Sequence, residues 1–218
     1  GIQHLADQVA VAGRYPDRVR CIDFGTTPER RPMKALIAND RGALTADAAR
    51  AAGLPVVLVQ GGIHAGEIDG KDAGFLALRQ VLDGKAARGA LAKVVLVFVP
   101  VFNIDGHERF GAWNRPNQNG PVEMGWRTTA RNLNLNRDYL KADAPEMQAM
   151  LRLVDAWDPL LMVDLHVTDG MDYQYDITYG FDGWDGLYAD SPAIGKWLND
   201  VYRPKADAAL RAKSPLPQ

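Results

Sequence analysis

The chain has 218 residues, 47% hydrophobic and 24% charged, enough to bury one sizeable core as a single domain. Its 25 Lys and Arg against 27 Asp and Glu give a net charge of −2, without the basic excess that binding to nucleic acid or to an anionic membrane surface demands. Cys21 is the only cysteine, so an intrachain disulfide and a thiolate metal cluster are both excluded, and any metal must be held by His and carboxylate groups.

The opening stretch, GIQHLADQVAVAGRYPDRV, reads as a helix already under way and lacks the basic-then-apolar shape of a signal peptide. The last residues, RAKSPLPQ, stop with no capping strand or helix. Both ends read as cut, so the expectation is a trimmed piece of a longer protein, periplasmic, secreted or cytoplasmic. No apolar run approaches the ~20 residues of a membrane span.

Between the ends, strands are expected at RVRCIDFG (18–25), PMKALIAN (32–39) and LPVVLVQGG (54–62). A helix follows at EIDGKDAGFLALRQVLDG (67–84), closed by glycine, and then a strand at KVVLVFVPVFN (93–103). Residues 106–137 form one long irregular stretch, of the kind that is functional or disordered in a compact domain. The segment DAPEMQAMLRLVDAW (143–157) reads as a helix with a capping box from Asp143 and Glu146. Its Met147, Met150, Leu151, Val154 and Trp157 share one face, which reads as core. PLLMVDLHV (159–167) is a further strand, and QYDITYGF (174–181) a weaker one. Three strands are nearly continuous apolar runs, the pattern of strands covered on both faces. Alternating with amphipathic helices, they predict a three-layer α/β/α domain with a mixed, mostly parallel sheet.

In such sheets ligands bind where loops converge at the carboxyl ends of strands. His64 and Glu67 follow one strand end in QGGIHAGEIDG, where a glycine pair permits a sharp turn, and His166 ends VDLH. Two histidines and a glutamate are the usual protein contribution to a catalytic zinc with an open fourth position. Taken alone, each has a plain structural reading, as turn, helix start or buried histidine; their coincidence at strand ends carries the inference. In GWRTTARNLNLNRDY, Arg127, Arg131 and Arg137 lie among Asn132, Asn134 and Asn136, a donor set suited to a carboxylate or a developing oxyanion and equally compatible with a solvated loop. His107 and Glu108 lack a second histidine four residues on and read as loop structure. Asp164 shares the strand face of His166, where it either supports the site or is a polar strand end. Asn103 and Asp105 are expected to bond their own backbone in the FNIDG turn.

Taken in order, GTTPERRPMKALI, GGIHAGE, VFNIDGHE, LNRDY and VDLH resemble the zinc carboxypeptidases of the M14 metallopeptidase family over about residues 18–180. The resemblance implies that His64, Glu67 and His166 bind one Zn2+, that Asn136 and Arg137 grip the substrate's terminal carboxylate, and that Arg127 stabilises the oxyanion, with Arg131 its rival. It puts Asn134 where many family members carry an aspartate that orients the first histidine, so an amide would do that work here. The family's general base is a glutamate on a strand well downstream of the third ligand. No glutamate occurs from Val167 to Gln218, and Asp169, Asp172 and Asp176 match no family base. The family's sheet would also lack its last strands here. The implied function is zinc-dependent removal of C-terminal residues from peptides. Alternatives are an N-acyl amino acid deacylase like the succinylglutamate desuccinylase and aspartoacylase group, or a binding module without turnover. The implied partner is a peptide or acyl-amino-acid substrate with a free carboxylate.

Overall fold

The computed structural model describes residues 3–118, 120–168, 170–171, 173–174, 177–181 and 191–212. The chain divides into two compact units, residues 1–170 and 171–218. The first unit opens with helix α1 (Gln3–Arg14), followed by strands β1 (Val19–Thr26) and β2 (Pro32–Ala38). Helix α2 (Ala46–Ala51), strand β3 (Val56–Gly61), helix α3 (Asp69–Leu82) and strand β4 (Val95–Val99) come next. A short helix α4 (Ile104–Glu108) and the small hairpin β5 (Gly111–Ala112) with β6 (Glu123–Met124) occupy the stretch read as irregular. A 3-10 turn at Leu135–Arg137, helix α5 (Pro145–Trp157) and strand β7 (Leu161–Leu165) complete the unit.

The main sheet has the order β1-β2-β4-β3-β7. β3 pairs in parallel with both β4 and β7, whereas β2 is antiparallel to β1 and to β4. The sheet is mixed as expected, and its parallel part is the part that ends at the histidines. Period-2 alternation sorts the strand residues onto two cores. On one face Met33, Ala35 and Ile37 join Val56, Leu58, Val95, Val97 and Val99 against Ala49 of α2 and Met147, Met150, Leu153 and Trp157 of α5. On the other, Leu36, Ala38 and Phe98 pack with Leu78 and Leu82 of α3 and with Val11 and Ala12 of α1. Helices on both faces make three layers, and the methionine stripe of α5 is core.

α3 lies close to the sheet because it carries glycine where the contact is made. A Cβ on Gly70 would stand 2.5 Å from Leu165 Cβ of β7, and one on Gly74 would stand 2.3 Å from the Phe98 ring. The close approach sets the first turn of α3 against the end of β7, and so brings the segment just before α3 to the segment just after β7.

Two local expectations are corrected. The capping box of α5 does not form: the cap is Ala144, with no side-chain hydrogen bond, and the Asp143 carboxylate turns instead to Lys141. Asp138 takes over, accepting from the backbone N–H groups of Asp143 at 3.0 Å and Ala144 at 2.8 Å. The weak strand at 174–181 is absent among its described residues, Gln174 and 177–181; Tyr175 and Asp176 lie outside them, as do Asp169 and Asp172. Within the second unit Tyr179 and Phe181 are drawn into an aromatic cluster instead. Tyr179 and Phe181 meet Tyr202 at 6.4 and 5.7 Å between ring centroids, and Tyr179 donates to Asp207 at 2.5 Å. That unit also holds α6 (Pro192–Trp197), a π-helical turn (Leu198–Tyr202) and α7 (Arg203–Arg211). Among the described residues no helix is long and apolar enough to cross a membrane.

Candidate metal and substrate site

β3 runs out at Gly61, and Gly62 then adopts φ +62°, a left-handed conformation that a side chain would oppose. The chain stays tied to the end of β4 through Phe102 N–H to Gly61 O and Asn103 N–H to Gly62 O, both 2.9 Å. Two residues later a turn closed by Glu67 N–H donating to His64 O at 3.0 Å puts both side chains on the same side. β7, the parallel neighbour of β3, delivers His166 just past its own end.

The three side chains converge. One ligand atom from each of His64, Glu67 and His166 lies within 4.8 Å of the others, so the cluster could hold a metal ion. His64 and Glu67 are 3% and 2% exposed, while His166 remains accessible from outside. His64 Nδ1 is 2.9 Å from Glu67 Oε1, and His166 Nδ1 is 3.0 Å from Glu67 Oε2. Val167 N–H donates to Oε2 at 3.0 Å, and Arg115 Nη2 to Oε1 at 2.9 Å. Burial alone raises the Glu67 carboxyl, but hydrogen bonds from His166, His64, Val167 and Arg115 outweigh it and hold the group well below the usual carboxylate range.

Asp164 Oδ2 is 2.9 Å from His166 Nε2, so the aspartate two residues before the histidine does orient its ring. The bond to Asp164, and then that to Glu67, push the His166 imidazole up to about 10. A cation must displace that proton to use the nitrogen, which makes metal binding weaken as pH falls. The donor set fits a metal on chemical grounds: two imidazoles and a carboxylate, with His64 and Glu67 buried, His166 open to the outside, and an acceptor behind the His166 ring.

Arg127 belongs to the cluster, with Nη1 3.7 Å from Glu67 Oε1. Its backbone is held from α4: Asn103 Nδ2 donates to Arg127 O at 3.1 Å, and Trp126 N–H to Gly106 O at 2.8 Å. Arg131 is exposed, and its charge acts on Glu146 at the start of α5. Asn136 and Arg137 lie on the 3-10 turn. That turn is anchored near the strand ends by Tyr139, whose hydroxyl donates to Gln60 of β3 at 3.0 Å and whose ionisation is suppressed by burial and then by Asp164. Arg137 is exposed, and its Nη1 donates to Asn136 O.

Other expectations shift. Asn134 does not meet His64. Its side chain caps the 3-10 turn by accepting from Asn136 N–H at 3.1 Å, and buried His64 Nε2 has no hydrogen-bond partner. Of the FNIDG pair, Asn103 bonds its own turn, accepting from Gly106 N–H at 3.0 Å, but Asp105 does not. Fully buried, it reaches the turn between β1 and β2 and accepts from Thr27 Oγ1 at 2.8 Å and Arg31 Nη1 at 2.6 Å. His107 stays outside the metal cluster, 5.3 Å from the Phe110 ring between centroids. Arg115 escaped the sequence reading, sitting in NRPNQNGP with no spacing to mark it.

Residues 5–212 match the zinc carboxypeptidase family, peptidase M14. No curated protein matches the chain. Solved structures with the same fold include a metallo-carboxypeptidase from Burkholderia cenocepacia, at 22% identity and TM-score 0.58, covering 77% of this chain and 41% of that one. The carboxypeptidase A of Helicoverpa armigera aligns at 18% identity and TM-score 0.57, over 74% of this chain and 44% of its own. A metallo-carboxypeptidase from Pseudomonas aeruginosa, in complex with (2-guanidinoethylmercapto)succinic acid, aligns at 20% identity and TM-score 0.57, over 76% and 39%. The chain therefore spans about two fifths of the length of these three structures. Carried by a match over nearly its whole length, the chain belongs to the M14 zinc carboxypeptidase family.

Proposed function

We propose that the chain forms the metal-binding and carboxylate-anchoring part of a zinc metallocarboxypeptidase site acting on the C-terminal end of peptides. The observation that carries this reading is the convergence of His64, Glu67 and His166 within 4.8 Å at the ends of two adjacent parallel strands. A zinc ion held there would supply Lewis-acid polarisation of a carbonyl and of water.

The chain's own residues supply the rest of the arrangement. Arg127, with its guanidinium 3.7 Å from the ligand carboxylate, is the donor for a developing oxyanion. Asn136 and Arg137, on a 3-10 turn that exposes the arginine, hold the free carboxylate of the substrate through a guanidinium fork and an amide. Support for a carboxylate anchor also comes from the Pseudomonas aeruginosa relative, described in complex with a succinic acid derivative.

Peptide hydrolysis further needs a base to take a proton from water and return it to the leaving amine. No glutamate lies between Val167 and Gln218 to do this. That absence favours a second reading for these 218 residues by themselves, binding with little turnover. The two readings separate in one experiment, with a peptide bearing a free C-terminus and its C-terminal amide offered to wild type and to Arg137→Ala. We expect zinc-dependent binding of the free acid, at least tenfold weaker in Arg137→Ala and for the amide, with slow release of the terminal residue. Fast hydrolysis insensitive to a chelator would overturn the proposal, and so would equal binding of acid and amide.

A further inference from the structure

Arg115 and Glu67 form an ion pair at 2.9 Å with both side chains 2% exposed, at a position nothing in the sequence singled out. We propose that Arg115 is a positioning residue that clamps the Glu67 carboxylate for metal binding, an inference that rests on the metal-site reading above.

The four donors on Glu67 are of two kinds. His64 Nδ1 on Oε1 and His166 Nδ1 on Oε2 donate only while protonated, and either nitrogen stops donating to the carboxylate if it turns its lone pair to a cation. Arg115 on Oε1 and Val167 N–H on Oε2 have no such second duty. Each carboxylate oxygen thus keeps one donor when the histidines change roles, and the plane of the group stays fixed from both ends. A guanidinium suits this duty because its planar fork presents N–H donors to a carboxylate in a fixed geometry.

The loop is built around this side chain. A Cβ on Gly66 would stand 2.7 Å from Arg115 Cγ and 3.2 Å from Cδ, so the arginine stem reaches Glu67 only because residue 66 has no side chain. Asn114, next to Arg115, pins the hairpin by donating from Nδ2 to Arg109 O at 2.7 Å and to Met124 O at 2.8 Å. Two effects oppose each other when a cation binds. The guanidinium brings like charge near it, which weakens binding, and it also holds a ligand in place, which strengthens binding. Loss of a hydrogen-bond partner behind a metal ligand costs about 10- to 100-fold in affinity, and the positioning effect is inferred to prevail here.

The test is a titration of the full 218-residue chain with Zn2+ in competition with a chromophoric chelator, with the visible absorption of bound Co2+ as a report on coordination geometry. Wild type is compared with Arg115→Met, Arg115→Lys and Gly66→Ala, the last displacing the arginine stem without changing its chemistry. We expect one tight Zn2+ in wild type, about 10- to 100-fold weaker binding in Arg115→Met and Gly66→Ala with an altered Co2+ spectrum, and partial recovery in Arg115→Lys. Zn2+ binding in Arg115→Met as tight as in wild type or tighter, with an unchanged Co2+ spectrum, would overturn the clamp while leaving the metal site standing. If Arg115→Met fails to fold, unchanged affinity in Arg115→Lys and Gly66→Ala overturns it equally. A wild type that takes up no Zn2+ defeats the metal site and the clamp together.

Discussion

Glu67 and Glu146 are both hidden from solvent, 2% and 1% exposed, yet they live in opposite surroundings. Glu67 accepts from two histidines, a backbone N–H and an arginine, and is held well below its usual range. Glu146, at the start of α5, accepts from no other residue, and burial, followed by the charge of Asp105, pushes its carboxyl up. Burial therefore does not mark a site by itself. What separates the two carboxyls is the set of donors that the loops after β3 and β7 bring to Glu67.

The same substitution should accordingly have opposite signs at the two positions. In metal-free protein Glu67→Gln leaves the buried Arg115 charge without its partner, and we expect a loss of about 3–5 kcal/mol of stability in urea unfolding with a chelator present. A loss below ~1 kcal/mol would mean that the ion pair is not the buried element described here.

A smaller effect is expected where the ligand is touched from behind. Asp164→Asn keeps the strand but weakens the acceptor on His166 Nε2, and Zn2+ affinity should fall about tenfold. An unchanged affinity in a chelator competition would show that the Asp164 contact does not orient the ligand. Binding should also weaken toward acid as protons compete for His166.

The smallest effect carries the opposite sign. The folded-state value of Glu146 lies above its ordinary 4.5, so the stability it contributes is present below that value and is lost as pH rises through the folded value. Glu146→Gln should thus match wild type near pH 4 and exceed it at pH 7, by on the order of 1 kcal/mol. Thermal melts at the two pH values check this, and a variant less stable than wild type at pH 7 would collapse the contrast between the two glutamates.

Much of this was legible in the sequence, for definite reasons. The strand ending at Gly61 is apolar and rich in β-branched residues because it is covered on both sides, so its run shows in one dimension, whereas the apolar run ending at Leu165 alternates half-buried and exposed residues at the end of the sheet order. His64 and His166 were legible because each lies within three residues of a strand end, and Glu67 because it stands three positions after His64. What stayed hidden depends on long-range geometry. Asp105 looks like a turn residue and instead closes a contact with Thr27, 78 positions away. Glu146 looks like half of a capping box because its spacing from Asp143 is right, but Asp138 holds those N–H groups first. Arg115 sits in a loop rich in Pro and Asn whose path only the folded hairpin defines.

If His64, Glu67 and His166 form a metal site, losing one of them must empty it. Metal analysis of the purified chain after exhaustive dialysis, wild type beside His64→Ala, tests it most directly. One Zn2+ per wild-type chain and near-complete loss in the variant are expected. Equal zinc content in the two would contradict it.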